Sequence, residues 1–366
     1  MILKNFNGFN TIYKLSFDQQ CSSMYSAEGL NVLFVDNANV YLSPDNTFFN
    51  LEENEQKYLQ NLGEGACLEI SQTGKIACAF GMTNDNTLYI TDKCNSNCIM
   101  CPMAEPARKF GHNTPMPVIN ELIKYMPCHM EHITITGGEP FIIKEQLFEV
   151  LNELKIGRKA NTYLLLSNGR IFANHEYCKL FTESVPEDFL IGIPLHGPNA
   201  TIHDLISQTP GSFLQTTNGI TNLLNSKSTS IEIRIVINKI NAPYMMDIAK
   251  LIIEKYKGIN SVKFMGMEML GNAIVNSDKV WISYSEAFTK IRSAIDFLVE
   301  NLVDVEIYNF PLCFVDPAYW HICAHSISAH KVKYADSCIQ CKEKKSCGGM
   351  FTGTDKYLAD AVNPIK

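Results

Sequence analysis

Strand-like and helix-like segments alternate through the middle of the chain. The strand candidates are short runs of β-branched and aliphatic residues, and the helix candidates repeat apolar residues at helical spacing. The predicted strands are 87–91, 132–136, 162–166, 189–194, 231–237 and 261–266. The predicted helices lie near 116–126, 144–156, 213–225, 243–256 and 284–299. This order predicts an α/β domain of repeated βα units with parallel strands.

The regions on either side of this domain differ from it. Residues 1–85 are predicted to form a small β-rich N-terminal domain, and the sequence does not indicate its role. Its strand candidates are 31–35, 40–42 and 65–70. We expect the α/β domain over residues 86–300 and a cysteine-containing extension over residues 301–366.

Composition narrows the possible functions. The 366 residues are 46% hydrophobic and 19% charged, as in a globular protein, and the net charge of −7 offers no basic surface for nucleic acid. No apolar run approaches the roughly 18 residues of a membrane span, and residues 1–10 lack a signal-peptide core. We therefore predict a cytoplasmic protein, in which 13 cysteines indicate metal binding rather than disulfides.

Three of these cysteines form a compact motif, Cys94, Cys98 and Cys101, with C-x3-C-x2-C spacing. Three thiolates are one short of the four that enclose a four-iron cluster, so one iron would remain open to another ligand. Similar spacings also occur in zinc sites. Because the motif follows the predicted strand 87–91, its thiols are expected at the C-terminal end of that strand.

A second motif follows the next predicted strand, 132–136. It reads Gly137-Gly138-Glu139-Pro140, and small residues at a strand exit allow close approach of the backbone to a ligand. In order and context the two motifs resemble those of the radical S-adenosylmethionine (SAM) enzymes. The resemblance implies a partial (β/α)6 barrel with its active site at the C-terminal ends of the strands, a [4Fe-4S] cluster with an open iron, and SAM.

The resemblance also implies particular SAM contacts. The amino group of SAM would meet Gly137, Gly138 and Glu139, and Ser167 and Asn168 match a region that contacts its ribose or methionine part. Arg234, inside an apolar strand, would bind the SAM carboxylate or ribose, although a structural salt bridge is the alternative. Residues 265–273, including Met267, resemble the adenine-binding segment. Turn formation or core packing explains several of these residues equally well.

Met100 departs from the family pattern. The family usually has an aromatic residue immediately before the third cluster cysteine, where it packs against adenine. A thioether also makes polarizable contacts with rings, so we expect Met100 to take this place.

A second group of cysteines lies near the C-terminus. Cys338, Cys341 and Cys347 resemble the core of SPASM and twitch domains, and Phe351 stands where the full SPASM core has another cysteine. With Cys313 they would close one auxiliary [4Fe-4S] cluster. Tetrahedral zinc on the same sulfurs is the alternative. Cys323 is a spare thiol and the alternative to Cys313 as a ligand, and His321, His325 and His330 are weaker candidates.

The closer resemblance extends through this tail. The segments 308–313 and 326–331 look like those of the radical SAM maturases of the His-Xaa-Ser peptide system. This implies a ribosomally made precursor peptide as substrate and a second radical SAM protein as partner. It also implies a reducing electron donor such as flavodoxin or ferredoxin.

The implied reaction is reductive cleavage of SAM to a 5′-deoxyadenosyl radical, which abstracts hydrogen from the peptide. A net oxidation, such as a crosslink, is the expected result. The alternatives are a radical SAM enzyme acting on a small molecule, a non-catalytic iron-sulfur partner that presents the precursor, and a zinc-binding interaction protein. No catalytic base is identified, because structural roles explain His196, His203 and Asp204 better.

Overall fold

The computed structural model describes residues 1–44, 47–83, 85–227, 229–328, 331–358 and 361–366. Within these ranges the chain forms two large sheets and one two-stranded ribbon. No helix there combines the length and the apolar character needed to cross a bilayer.

The N-terminal region is a six-stranded mixed sheet with two helices. Its elements are β1 (Thr11–Ser16), α1 (Gln19–Ala27), β2 (Val32–Asp36), β3 (Asn39–Ser43), β4 (Thr47–Asn50), α2 (Glu53–Leu62), β5 (Cys67–Ile70) and β6 (Ile76–Phe80). The strand order is β4-β3-β2-β1-β5-β6, in which β1 and β2 are parallel and the other pairs antiparallel. The three predicted strands correspond to β2, β3 and β5.

The central region is built around eight parallel strands. Its first half contains β7 (Thr87–Tyr89), α3 (Glu105–Phe110), α4 (Met116–Tyr125), β8 (Met130–Thr136), α5 (Glu145–Ile156), β9 (Ala160–Leu166), α6 (His175–Ser184) and β10 (Phe189–Pro194). Its second half contains α7 (Ala200–Ser207), α8 (Ser212–Ser226), β11 (Ser230–Val236), α9 (Met245–Lys255), β12 (Ser261–Met265), α10 (Asn272–Val275), α11 (Ser277–Val280), α12 (Tyr284–Glu300), β13 (Asp304–Tyr308) and β14 (Cys323–Ala324).

These strands follow one another in chain order from β7 to β14 and form an open, curled half-barrel. The predicted fold class is therefore confirmed. All six predicted strands are present, and β13 and β14 extend the sheet past residue 300. The division of the chain into domains stays a prediction.

Apolar and polar residues alternate along the strands, so the two faces of the barrel differ in polarity. On β11, Ile231, Ile233 and Ile235 are fully buried in the same apolar cluster as the outer helices. Glu232 and Arg234 alternate with them and must face the concave side, which we call the lumen. The sheet is thus apolar toward its helices and polar inside.

Beyond the barrel, the C-terminal residues form β15 (Val332–Lys333), β16 (Met350–Phe351) and α13 (Asp355–Leu358). β15 and β16 pair antiparallel. Most of this segment has no regular structure, as expected for a short region rich in cysteine and glycine.

The N-terminal region packs directly on the barrel through α4. Lys14 of β1 donates to the carbonyl oxygen of Tyr125, the last residue of α4, at 2.6 Å. Lys159 donates to the next carbonyl, that of Met126, at 3.1 Å. Cations are favoured at the C-terminus of a helix, where carbonyl groups lack intrahelical partners.

Candidate active site

The loop that carries Cys94, Cys98 and Cys101 leaves β7 at the C-terminal edge of the sheet. The amide of Asn97 donates to the carbonyl of Ser207 at 3.0 Å, and the amide of Ile99 donates to Ile206 at 2.9 Å. The end of α7 therefore holds the middle of the loop. A turn follows, in which Cys101 N–H donates to the Cys98 carbonyl at 3.2 Å.

Arg108 is a buried support of this loop that the sequence did not indicate. Its side chain is only 3% exposed. The guanidinium donates to the carbonyls of Met103 at 3.1 Å and Ser96 at 3.1 Å, and to Asn97 Oδ1 at 2.7 Å. A buried guanidinium requires such acceptors. Arg108 therefore fixes the backbone on both sides of Cys98.

Two asparagines that follow β12, five strands away from β7 in the sheet, also hold the loop. Asn272, at the start of α10, donates its amide N–H to the Cys101 carbonyl at 2.9 Å and its side-chain Nδ2 to the Cys98 carbonyl at 3.1 Å. Asn276 Nδ2 donates to the Ile99 carbonyl at 3.0 Å. The cysteine loop is thus fixed by residues about 170 positions away in sequence.

The three thiols are free and partly enclosed. Burial raises the pKa of Cys94 to about 11 and that of Cys98 to about 12, and it also raises the pKa of Cys101. Metal ligation requires thiolates, so metal binding here releases protons. The charge of Arg108 opposes the rise in pKa at each thiol.

Gly137 and Gly138 bring the second motif against the cysteine loop. A Cβ atom at Gly137 would lie 2.5 Å from the carbonyl oxygen of Thr91, and one at Gly138 would overlap the carbonyl oxygen of Lys93. The amide of Gly138 donates to Thr91 at 2.7 Å, and that of Glu139 donates to Lys93 at 2.8 Å. Only glycine allows this approach.

Glu139 lies at the centre of a hydrogen-bond network. Its carboxylate is 2% exposed and accepts bonds from Ser167 Oγ at 2.9 Å, the Phe141 amide at 3.2 Å and the Asn168 amide at 2.7 Å. Burial raises its pKa, and these bonds oppose the rise. A carboxylate has about four acceptor positions, so roughly one remains for a ligand. The structure therefore brings Gly137, Gly138, Glu139, Ser167 and Asn168 together.

Arg170 joins this network to the cysteine loop. It donates to the Asn95 carbonyl at 2.8 Å and to Gln215 Oε1 at 2.7 Å, while Asn168 Nδ2 donates to Asn95 Oδ1 at 2.6 Å. A cavity of about 210 Å³ opens here, lined by Asn95, Glu139, Phe141, Asn168, Arg170, Ile171 and Gln215. Arg170 was not predicted, because a lone arginine after a turn carries no distinguishing pattern.

Met100 and Met267 meet in one buried cluster behind the loop. They are 5% and 1% exposed, and they pack with Ile99, Ile202, Ile206, Met269, Ala273 and Val280. The carbonyl of Met267 accepts bonds from the Tyr284 hydroxyl at 3.0 Å and Thr354 Oγ1 at 3.0 Å. Both methionines thus have protein partners, and their contact with SAM stays a prediction.

Arg234 faces the lumen and also has protein neighbours. Its Nε lies 3.4 Å from Glu232 Oε1, and its guanidinium lies 5.8 Å from the centre of the Tyr308 ring. The ion pair is the structural alternative foreseen from the sequence. Contact of Arg234 with SAM stays a prediction.

His196, His203 and Asp204 form a structural unit after β10. His203 Nδ1 accepts the amide of His196 at 3.2 Å, and burial lowers the pKa of His196 to about 3 and that of His203 to about 4. Asp204 accepts the amides of Gly211 and Phe213 at 2.7 Å each. It therefore fixes the start of α8.

The C-terminal cysteines surround a second cavity. Cys313, Cys338, Cys341 and Cys347 all line it, although they come from three separate segments. Backbone amides point at two of the sulfurs. Leu312 and Gly349 each donate to Cys347 Sγ at 3.4 Å, and Ile365 donates to Cys341 Sγ at 3.4 Å. Residues 362–365 complete the wall of this cavity.

The other candidate ligands lie apart from this cavity or have partners. Cys323 is outside its lining, and its thiol contacts the Tyr319 carbonyl at 3.6 Å. His325 Nε2 lies 2.8 Å from the Ser346 carbonyl, and His330 falls outside the described residues. In the part of the chain that the structure describes, no three His, Cys, Asp or Glu side chains are gathered as around a single metal ion.

The two tail segments that carried the closer resemblance contact each other. Ser326 Oγ accepts the amide of Asn309 at 3.0 Å and donates to Asn309 Oδ1 at 2.8 Å. Residues 329 and 330 of the second segment lie outside the described ranges.

Comparison with solved structures gives only distant likenesses. The enzyme anSMEcpe with bound S-adenosylmethionine and Cp18Cys peptide is 19% identical, with a TM-score of 0.45 over 60% of this chain and 63% of that one. SuiB of Streptococcus suis, bound to its precursor peptide SuiA, is 12% identical, with a TM-score of 0.48 over 79% of this chain and 60% of that one. A radical SAM methyltransferase from Sphaerobacter thermophilus is 11% identical, with a TM-score of 0.44 over 74% of this chain and 72% of that one.

The matched part is less than two thirds of the first two proteins, and likeness at this level says nothing about the substrate of this chain. No curated protein has a significantly similar sequence. Residues 88–252 match the sequence profile of the radical SAM superfamily. They include the cysteine loop, the Gly137–Pro140 turn and strands β8 to β11. The chain therefore contains a radical SAM superfamily domain, which implies a [4Fe-4S] cluster and SAM.

Proposed function

We propose that this protein is a radical SAM peptide maturase. It would act on a ribosomally made precursor of the His-Xaa-Ser type and carry out a net oxidation such as a crosslink. The observation that carries the proposal is the contact between the cysteine loop and the Gly137-Gly138 turn at the C-terminal edge of the barrel. The loop that carries the three thiols also contributes Asn95 to the wall of the cavity near Glu139.

The donor set fits an open [4Fe-4S] cluster. Cys94, Cys98 and Cys101 are free thiols on a loop whose backbone is held by hydrogen bonds from Arg108 and Asn272. Three thiolates leave one iron for SAM. When bound, the cluster and SAM supply the 5′-deoxyadenosyl radical that removes a hydrogen atom from the substrate.

The chain's own task is to orient SAM and keep water away. The backbone of Gly137 and Gly138 and the free acceptor position of Glu139 would bind the SAM amino group. Ser167 and Asn168 hold the Glu139 carboxylate toward this site. Arg234 would bind the SAM carboxylate or ribose from the lumen. Met267 and Met100 would lie near the adenine.

The second cavity supports an oxidative outcome. Cys313, Cys338, Cys341 and Cys347 line one cavity, and four thiolates are the number that a fully ligated auxiliary [4Fe-4S] cluster takes. Such a cluster would supply an acceptor for the electron that a net oxidation removes from the peptide. A second radical SAM protein and a reducing donor such as flavodoxin or ferredoxin complete the proposed system.

The proposal is tested by anaerobic reconstitution with iron, sulfide, SAM and dithionite in the presence of the precursor peptide encoded beside the gene. We expect deoxyadenosine and a peptide lighter by two hydrogens in mass spectrometry. Replacement of Cys98 with Ala should abolish both products, whereas replacement of the exposed Cys128 should leave both unchanged.

Other outcomes identify the alternatives. Abundant deoxyadenosine with an unchanged peptide that does not bind would favour a small-molecule substrate. Binding of the peptide without deoxyadenosine under strong reduction would favour a non-catalytic presenting partner. Zinc without iron or sulfide in protein purified anaerobically would contradict the proposal.

A further inference from the structure

A groove lies at the N-terminal ends of β12 and β13, the end of the barrel opposite to the cysteine loop. Ser261 and Asp304 are the first residues of these strands and are register partners on the lumen face. Both line the groove, together with Lys263 and Glu306, and its volume is about 610 Å³. We call it the basal groove.

The charged residues of the basal groove leave one carboxylate unpaired. Lys263 forms an ion pair with Glu306. Neither Lys263 nor His321, which also lines the groove, lies within ion-pair distance of Asp304. Among the described residues the Asp304 side chain has no hydrogen-bond donor either. The lining therefore favours a ligand that carries a positive charge.

Two neighbouring features support this preference. Glu232 and Arg234, next to β12 on the lumen face, pair with each other at 3.4 Å, so they add no net charge. Helix α12 ends shortly before Asp304, and its last turn contains no basic residue. The carbonyl groups at the C-terminus of a helix attract cations.

A buried hydroxyl beside Asp304 also lacks a partner. Ser261 is 2% exposed, and its Oγ makes no hydrogen bond with the described residues. Buried polar atoms of native proteins nearly always have partners. A hydroxyl accepts as well as donates, and adjacent strands lie about 4.8 Å apart. One ammonium or guanidinium group can therefore donate to Asp304 and to Ser261 together.

Another part of the lining is apolar and includes a strained residue. Leu302 is 95% exposed, and its φ of +61° lies in the left-handed region where Gly or Asn usually follows a helix. The turn is held by the Leu302 amide, which donates to Val299 at 2.9 Å, and by the Val303 amide, which donates to Leu298 at 3.1 Å. A leucine at this position costs backbone strain without gaining burial. An apolar part of a ligand that covers it explains why a leucine stands there.

We propose that the basal groove binds a lysine or arginine side chain of the substrate peptide. Its charged end donates to the Asp304 carboxylate and to Ser261 Oγ, and its methylene groups lie against Leu302 and Val299. Long basic side chains suit such a site because their stems are apolar and their ends are charged. The inference rests on the proposed peptide substrate, and it makes Asp304, Ser261 and Leu302 determinants of peptide binding.

The basal groove is an anchoring site, separate from the place of reaction. β12 has five residues, so the groove lies roughly 13 Å from the end of that strand nearest to the cysteine loop, at ~3.3 Å per residue. An extended peptide spans at most about 3.5 Å per residue. The anchored basic residue is therefore at least about four residues away from the residue that is modified.

The test is a double-mutant cycle on peptide binding. The reconstituted full chain is titrated with the fluorescently labelled precursor peptide and with peptides in which each Lys or Arg is replaced by Met. The variants are Asp304→Asn, Ser261→Ala and Leu302→Asn. Glu131→Gln, which removes an exposed carboxylate at the same end of β8, is the matched control. Spermidine is titrated as a free cation.

Leu302→Asn keeps the test independent of folding defects. Asparagine tolerates the left-handed conformation, so the unfolding temperature should not fall, while the apolar contact is lost. We expect about three- to fivefold weaker peptide binding for this variant. Weaker binding in a chain of undiminished stability identifies a contact with the peptide.

We expect about three- to tenfold weaker binding for Asp304→Asn and about two- to fivefold for Ser261→Ala. Glu131→Gln should bind as the wild type does. One basic residue of the peptide should weaken wild-type binding when replaced but have little further effect in Asp304→Asn. Added salt should weaken binding to the wild type more than to Asp304→Asn.

Unchanged affinity in Asp304→Asn and Leu302→Asn, or the absence of coupling between Asp304 and any basic residue of the peptide, would overturn the inference. Spermidine that binds through Asp304 and is not displaced by the peptide would assign the groove to a free polyamine and also overturn it. A wild type that makes deoxyadenosine but does not bind the peptide overturns it and leaves radical generation standing. Coupling in a protein that makes no deoxyadenosine would instead reject the proposed reaction and keep the binding site.

Discussion

The guanidinium of Arg108 donates to Asn97 Oδ1 at 2.7 Å, in the middle of the cysteine loop. Arg108→Met would leave the carbonyls of Ser96 and Met103 without this donor, and Asn97 Oδ1 would keep the longer bond from Asn272 Nδ2 at 3.3 Å. We expect the change to lower the free energy of unfolding by about 2–4 kcal/mol and to reduce iron content. Lys cannot reproduce the forked geometry, so Arg108→Lys should be intermediate. Urea unfolding and iron analysis measure both effects.

The neighbouring Lys109 provides the control for this prediction. It lies on the same short helix, is exposed, and pairs with Glu105 at the surface. Lys109→Met should change stability by less than about 0.5 kcal/mol. Equal losses in the two variants would show that Arg108 has no special role in the loop.

The approach of Gly138 to Lys93 predicts a steric effect. In Gly138→Ala the new methyl group overlaps the Lys93 carbonyl, so the turn must move away from the cysteine loop. We expect a loss of about 1–3 kcal/mol in unfolding free energy and less deoxyadenosine. In Gly29→Ala no described residue other than the chain neighbours lies within 4 Å of the new methyl group, so the expected effect is backbone strain and deoxyadenosine yield should not change.

The second cavity distinguishes two neighbouring cysteines. Because Cys313 lines the cavity and Cys323 does not, Cys313→Ala should lower iron content from about eight to about four atoms per chain. Cys323→Ala should keep about eight iron atoms per chain. The reverse result would make Cys323 the fourth ligand, and zinc in both would reject the auxiliary cluster.

The amide of Ile365 predicts an effect on redox chemistry. Hydrogen bonds to cluster sulfurs raise the reduction potential, and this amide donates to Cys341 Sγ at 3.4 Å. Ile365→Pro removes the donor, whereas Ile365→Ala keeps it. In a background without Cys94, Cys98 and Cys101, an electron paramagnetic resonance titration should show a lower potential for Ile365→Pro only. Identical potentials would contradict this.

The buried pair His196 and His203 predicts acid sensitivity. Burial lowers their pKa values to about 3 and about 4, below the ordinary value of 6.5. The unfolded state therefore binds more protons between pH 6.5 and 4, and stability should fall as pH falls through this window, by up to about 1.4 kcal/mol per pH unit for each proton. His203→Gln keeps an acceptor for the His196 amide but does not titrate. Chemical unfolding at several pH values should give a shallower dependence for this variant.

The sequence predicted the strands of the barrel well because their signals are local. A run such as Ile231 to Ile237 is β-branched and buried, and the observed strand differs from it by one residue at each end. β14 was missed because two residues carry no periodicity. It is a strand only through its pairing with Ile307 and Tyr308.

The residues of the candidate site also fall into two groups, those with a local sequence signal and those without one. The cysteines and the Gly137–Pro140 turn are recognisable from spacing, whereas Arg108, Asn272 and Asn276 act through contacts that only folding creates. Arg234 was singled out correctly as a charge in an apolar strand, but Glu232, two residues earlier, was not recognised as its partner. Charges on alternate positions of one strand share a face, which is the signal that would have revealed it.

The hydrogen bond from Lys14 to the last carbonyl of α4 matters for any shortened form of the chain. Ile12, Leu30 and Cys67 belong to the same apolar cluster as Ile119 and Leu122 of α4. Trimming the first 85 residues would expose that flank to water and leave the Tyr125 carbonyl without its Lys14 donor. The trimmed barrel would be prone to aggregate, so loss of turnover in it would report on solubility rather than on chemistry.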